Sequence, residues 1–193
     1  MTASAPAKVG RHRSQVADEA IVAATLDLLR DDGYRGLTMS SVIERSGVSS
    51  ATLYRRWPTK QALVVAALQT LTGDTSPHDT GTLAGDFESL ARQIARAIST
   101  RDDLFASLSM ELKHDDELRA MNREAFVEPR LELMRAMLRR AVARGELESH
   151  PPHDVVLSLL TGPIYHRAFN LGERPTPAFL RVVVGSVLAG LDR

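Results

Sequence analysis

Residues 38–60, TMSSVIERSGVSSATLYRRWPTK, decide the fold. Thr38 is placed to N-cap a helix that carries Met39, Val42 and Ile43 and stops at Gly47. Ser49 is placed to cap a second helix, Ser50 to Arg56, which Trp57-Pro58 closes because the residue before a proline avoids helical angles. Two helices of about two turns each are therefore joined by Ser46-Gly47-Val48. Helix, short turn with glycine, helix is the helix-turn-helix layout, whose second helix enters a DNA major groove. The turn needs a residue free of Cβ strain, which is Gly47. The inner faces need apolar residues, supplied by Val42, Ile43, Val48 and Leu53. The outer face needs short polar groups and cations, and Ser49, Ser50, Thr52, Tyr54, Arg55 and Arg56 provide them.

Upstream, Val16, Ala17, Ala20, Ile21, Ala24 and Leu28 recur at spacings of three and four, which predicts a helix over 14–31 with Gly33 as its left-handed stop. Residues 1–13 are small, polar and basic, and read as a flexible arm. Downstream, Pro58 suits the first turn of a helix over 58–72, and Gly73 to Thr82 (GDTSPHDTGT) reads as a linker. Helices are then expected over 83–100, 102–112, 115–143, 152–171 and 176–191. The reading is an all-α protein of about nine helices: arm 1–13, helix-turn-helix domain with connecting helix 14–72, linker 73–82, and a larger helical bundle domain for ligand binding and dimerisation, 83–193.

Composition bounds the chemistry. The 193 residues include no Cys, which excludes disulfides, thiolate metal sites and thiol catalysis and makes a cytoplasmic setting the default. No apolar run is long enough to span a bilayer, and the N-terminus lacks the apolar core of a secretory signal. Net charge is zero, with 24 basic and 24 acidic residues, yet it is unevenly spread. Residues 1–60 hold nine basic and six acidic residues; residues 34–60 alone hold five basic (Arg35, Arg45, Arg55, Arg56, Lys60) against Glu44. The segment expected to meet DNA is thus the basic one.

Leu37-Thr38-Met39, Val42, Gly47-Val48-Ser49, Thr52-Leu53-Tyr54-Arg55-Arg56-Trp57, and Lys60 with Leu63 resemble, in identity and order, the DNA-binding module of the TetR family of transcriptional regulators. Thr161-Gly162-Pro163-Ile164-Tyr165-His166-Arg167, Gly172-Glu173 and Pro177-Ala178-Phe179-Leu180 resemble the C-terminal domain of one of its subgroups. The resemblance implies a DNA-binding regulator, a repressor acting as a homodimer on a palindromic double-stranded operator. It implies that Thr38 and Lys60 flank phosphate-facing helix ends and that Tyr54 and Arg55 sit on the DNA backbone. Ser50, Ala51 and Thr52 are then the base readers, Ser49 and Arg56 belong to the same face, and Trp57 plugs the small domain's core. Arg11 and Arg13 in the arm serve either as a solvated tail or as a minor-groove insert.

Helix 176–191 is apolar on nearly every side, so a second copy of the chain is expected to cover one face, with Val184, Val187, Leu188 and Leu191 at the dimer interface. Gly162-Pro163 interrupts helix 152–171 and should leave room for a small, mainly apolar effector. Arg96, Phe105, Met134, Tyr165, His166 and Phe169 are its candidate lining, within a wider apolar set of Phe87, Ile94, Leu104, Leu108, Met110, Met121, Phe126 and Met137. His150, His153 and His114 precede helices in turns and are not read as metal ligands; no cofactor is expected. Two other readings remain at this point: a DNA-binding regulator with no small-molecule effector, and an all-α enzyme, for which no catalytic constellation stands out.

Overall fold

The structure, a computed structural model, describes residues 8–71, 79–99 and 102–191. In chain order the described elements are α1 (Lys8–Asp31), α2 (Gly33–Gly36), α3 (Met39–Ser46), α4 (Ser50–Arg56), α5 (Lys60–Gln69), α6 (Leu83–Ser99), α7 (Asp102–Glu111), α8 (Asp116–Asn122), a π-helical turn Arg123–Val127, α9 (Glu128–Ala143), α10 (His153–Tyr165), a second π turn His166–Asn170, and α11 (Pro177–Leu191). The all-α reading holds. The expected nine helices become eleven because a single turn, α2, follows Gly33 and because 115–143 is interrupted. Pro129 is the cause of the interruption: it has no N–H to give the preceding turn, and the backbone widens into the π turn just before it.

The chain divides into two compact units. One comprises the chain through Leu71 together with Ser107–Met121; the other comprises the remaining described residues. The chain passes between the units after Leu71, after Ala106 and after Met121, so the end of α7 and most of α8 group with the helix-turn-helix. Residues 73–78 of the expected linker, residue 72 before it, and 1–7 of the arm lie outside the described residues. Residues 8–13, also assigned to the arm, are the first turns of α1, so the helix starts six residues before the expected position 14.

In the first unit, Ile21, Leu28, Leu37, Val42, Leu53, Leu63 and Leu68 are buried and close the core of the three-helix module. Thr38 caps α3 by accepting from the Ser41 N–H, and the Ser41 hydroxyl in turn accepts from the Thr38 N–H. Gly47 ends α3 at φ 67°, the left-handed conformation that a side-chain-bearing residue adopts at a cost. Thr59 caps α5 by accepting from the Ala62 N–H, which starts that helix at Lys60 rather than Pro58. Trp57 is half-buried, not the core plug expected of it.

The second unit is built on α6, α9, α10 and α11, with Phe87, Leu90, Ile94, Met134, Met137, Leu160 and Ile164 at its centre. One buried charge organises its edge. Asp86 is fully buried and accepts from the Thr80 N–H at 2.7 Å, the Thr80 hydroxyl at 2.9 Å and the Arg140 guanidinium at 3.1 Å. Nearby, the Glu146 carboxylate accepts from the Leu83 N–H at 2.7 Å and pairs with Arg144. The start of α6 is thereby tied to the end of α9. Asp86→Ala is expected to lower unfolding free energy by about 3 kcal/mol, since it removes the buried carboxylate to which Thr80 and the Arg140 guanidinium both donate. A urea-denaturation midpoint equal to that of the parent would refute this role.

Candidate nucleic-acid interface and effector cleft

Leu53 is wholly buried and fixes how α4 presents itself. At about 100° per residue, Ala51 and Arg55 lie on the side opposite Leu53, flanked by Thr52 and Tyr54. Ala51, Tyr54 and Arg55 are accordingly exposed, as are Ser49 and Ser50 at the start of the helix, while Thr52 is half-buried. The Thr52 and Ser49 hydroxyls are hydrogen-bonded to each other at 3.0 Å. Thr38 is exposed at the head of α3.

The cations of the basic segment are not equivalent. Arg35 pairs with Glu111 at 2.8 Å, Arg45 pairs with Asp31, and Arg56 pairs with Asp18 and donates to the Ser14 hydroxyl. Lys60 places its ammonium 4.1 Å from the centre of the Tyr34 ring, where burial lowers its pKa. Among the described residues of 34–60, Arg55 is the cation with no intramolecular partner. Arg56, expected among the DNA-facing residues, is tied to Asp18 and Ser14 of α1, and much of the net +4 over 34–60 is compensated by acids from α1 and α7. Arg11 and Arg13 lie in the helical backbone of α1, and their side chains are outside the described set.

Asp115, in the segment that joins the first unit from beyond α6, is its polar anchor. It accepts from the Tyr34 hydroxyl and from Gln61, each at 2.9 Å, and from the Leu118 N–H at 2.8 Å, and caps α8. The Leu118 N–H above all, then Tyr34 and Gln61, hold the Asp115 carboxyl below its ordinary pKa. Burial, reinforced by Asp115, pushes the Tyr34 hydroxyl well above its own. Tyr34 thus serves two neighbours, supporting the Lys60 ammonium with its ring and Asp115 with its hydroxyl.

In the second unit a cleft of about 90 Å³ opens between Ile94, Ala97 and Ile98 of α6, Phe126 and Val127 of the first π turn, Arg130 of α9, and Tyr165, the residue before the second π turn. A smaller recess of about 30 Å³ adjoins it over Ile94, Phe126 and Arg130. Arg130 donates to the Phe126 carbonyl at 2.7 Å, a group that the widened backbone turns toward it. Of the expected lining, Tyr165 is in place and Phe169 stacks on it with ring centres 5.6 Å apart. Met134 is sealed in the core, while His166 and Arg96 are exposed and do not line the cleft. The Phe105 side chain lies outside the described set. Arg130 was not anticipated, and Pro129 beside it is the sequence signal that would have found it.

The expected dimer residues are also placed differently. Val184 and Val187 are buried in the second unit's own core, and Leu188 and Leu191 pack against it. The free face of α11 instead carries Val182, with Gly185 and Ala189 one and two turns on; that of α10 carries Val155, Leu159 and Gly162. Among the described residues, no helix is long and apolar enough to cross a membrane.

An anchored second helix with a small-residue outer face, following a capped helix and a left-handed glycine, defines a helix-turn-helix DNA-binding protein. Residues 21–67 match the profile described as bacterial regulatory proteins of the tetR family, and residues 77–187 match that of the tetracyclin repressor-like C-terminal domain. The chain belongs to the TetR family of transcriptional regulators and is not an enzyme. It is 32% identical over 188 residues to a DNA-binding transcriptional repressor TetR of Mycobacteroides abscessus, covering 94% of this chain and 96% of that one. The crystal structure of the TetR-family regulator SCO0332 superposes with a TM-score of 0.69 at 28% identity, covering 90% and 97% of the two chains. FadR of Bacillus subtilis, solved in complex with stearoyl-CoA, shares the fold at a TM-score of 0.67 and 17% identity, covering 90% and 96%.

Proposed function

We propose that this protein is a cytoplasmic repressor that binds palindromic operator DNA as a homodimer and is released from it by a small, mainly apolar effector. The observation that carries the DNA-facing part is the outer face of α4, where Arg55 stands as an exposed cation beside Ala51 and Thr52 while Leu53 locks the helix in place. The dimer reading is supported by Val155, Leu159 and Val182, which are 48%, 53% and 67% exposed and lie on adjacent helix faces. At Gly162 and Gly185, on those faces, a Cβ would meet nothing within 4 Å, so the chain's own packing does not require glycine there. A closely approaching second copy does. Repression is the activity named for the Mycobacteroides abscessus relative.

The effector reading rests on the cleft, apolar apart from Asn122, Arg130 and the tip of Tyr165, and on the π turns at its margin, a geometry frequent at functional sites. FadR shows that this fold accommodates an acyl-CoA. A cleft of about 90 Å³ is well below the roughly 300 Å³ that small-molecule pockets usually need, so effector binding must widen it. The same small volume favours a second reading, a regulator set by its own abundance rather than by a ligand. Selection from a pool of random-sequence duplexes tests the DNA reading: the protein should enrich an inverted repeat with half-site centres about 10 bp apart or a multiple of it. Titrating fatty acids and acyl-CoA thioesters against the selected duplex separates the two readings, since release occurs only in the first.

A further inference from the structure

We infer that α4 reads its operator through methyl groups, with Ala51 and the γ-methyl of Thr52 packed on the C5-methyls of thymines in the major groove. The inference rests on the DNA-binding reading above and gives it a base chemistry. Ala51 lies opposite the buried Leu53, as Arg55 does a turn further on, so it stands near the centre of the presented face, and it offers no hydrogen-bonding side chain. Ser50, the exposed first residue of α4, lies about 60° from Leu53 on the helical projection, off the centre of the outward face. The Thr52 hydroxyl is engaged along the helix by the Ser49 hydroxyl, at 3.0 Å, which takes up one of its hydrogen-bonding positions. The γ-methyl has no such partner and is the part of the side chain suited to an apolar contact with a base edge. The one strong donor on the face, Arg55, sits a turn further on and is suited to phosphate. In the major groove, thymine alone presents a methyl, and alanine and the threonine methyl are its usual apolar partners.

Uracil makes the test clean, because it removes the C5-methyl and leaves every hydrogen-bonding group of the base in place. The probe is the duplex that wild-type full-length protein enriches from a random pool, with thymines replaced one at a time, in both half-sites together, by uracil. At one or two positions per half-site the replacement should weaken binding, roughly fourfold per methyl and about fifteenfold for the symmetric pair, the change that burying a methyl group corresponds to. Two variants assign the contact. Thr52→Ser removes the methyl and keeps the hydroxyl, and should bind the parent duplex more weakly and become indifferent to uracil at one position. Thr52→Val keeps the methyl and should retain the discrimination. The inference is overturned if no uracil position costs more than about twofold, or if Thr52→Ser behaves as the parent while Thr52→Val loses discrimination, which would assign reading to the hydroxyl. If wild-type protein enriches no sequence at all, the DNA-binding reading itself has failed, a result distinct from an enriched but uracil-insensitive site.

Discussion

A Leu159→Glu, Val182→Glu double variant is expected to sediment as a monomer of about 21 kDa and to lose roughly a hundredfold or more of its operator affinity. The size of the effect comes from geometry. In a two-fold interface the same patch meets itself, so two substitutions introduce four carboxylates into one small apolar contact. Operator affinity then falls because one helix-turn-helix no longer brings the second to its half-site, and the gain from tethering two modules is typically a hundredfold or more. The chain itself should still fold. Leu159 and Val182 are 53% and 67% exposed, and substitutions at such positions usually change intrinsic stability by about 0.5 kcal/mol or less. Val184→Ala supplies the contrast. Val184 is 3% exposed, so its truncation should lower the denaturation midpoint while leaving the dimer intact. Equilibrium sedimentation that shows the double variant still at twice the chain mass would refute the assignment of this face.

How much of this was legible follows from how local each cause is. Thr38, Gly47 and Pro58 act on their own and adjacent turns, and the helix-turn-helix they punctuate sits where the sequence puts it, with α4 spanning Ser50–Arg56 as read; Ser49 stands at the N-cap, but its hydroxyl meets that of Thr52 and caps no backbone N–H. The start of α1 was misplaced because residues 8–13 carry no apolar repeat to declare a helix, though they extend one already nucleated downstream. Pairings between distant residues left no local trace. Arg56 looks like its neighbour Arg55 in the sequence, and only the packing of α4 on α1 brings it to Asp18 and Ser14. The grouping of Ser107–Met121 with the first unit is of the same kind, since Asp115 meets Tyr34 and Gln61 across long sequence separations. On α11 the difficulty is different. A helix apolar on every side does not announce which side its own chain will take, and the chain takes Val184 and Val187.

Arg55 and Arg56, neighbours in one helix, should separate completely when each is replaced by alanine. Arg55→Ala is expected to leave thermal stability unchanged and to reduce the slope of log affinity against log salt by about 0.9 per half-site, close to two units for the dimer, the release expected from one phosphate contact each. Arg55 is exposed and has no partner within the chain, so nothing in the fold depends on it. Arg56→Ala should keep the parent slope. Its side chain is 23% exposed and its charge is already answered by Asp18, so no phosphate is required to neutralise it. The loss appears in the fold: the variant gives up an ion pair and a hydrogen bond joining α4 to α1, together about 1 kcal/mol at this degree of solvent exposure. Some affinity goes with it, because a less firmly held α4 must be ordered on binding, and that cost falls on all sequences alike. Arg56→Lys decides the matter. Lysine carries the charge but cannot hold Asp18 and Ser14 together through a forked group, so it would restore a lost salt slope while recovering the thermal midpoint only in part. An Arg56→Ala slope as shallow as that of Arg55→Ala, returned to the parent value by lysine, would place Arg56 on the phosphate backbone and overturn its bracing role.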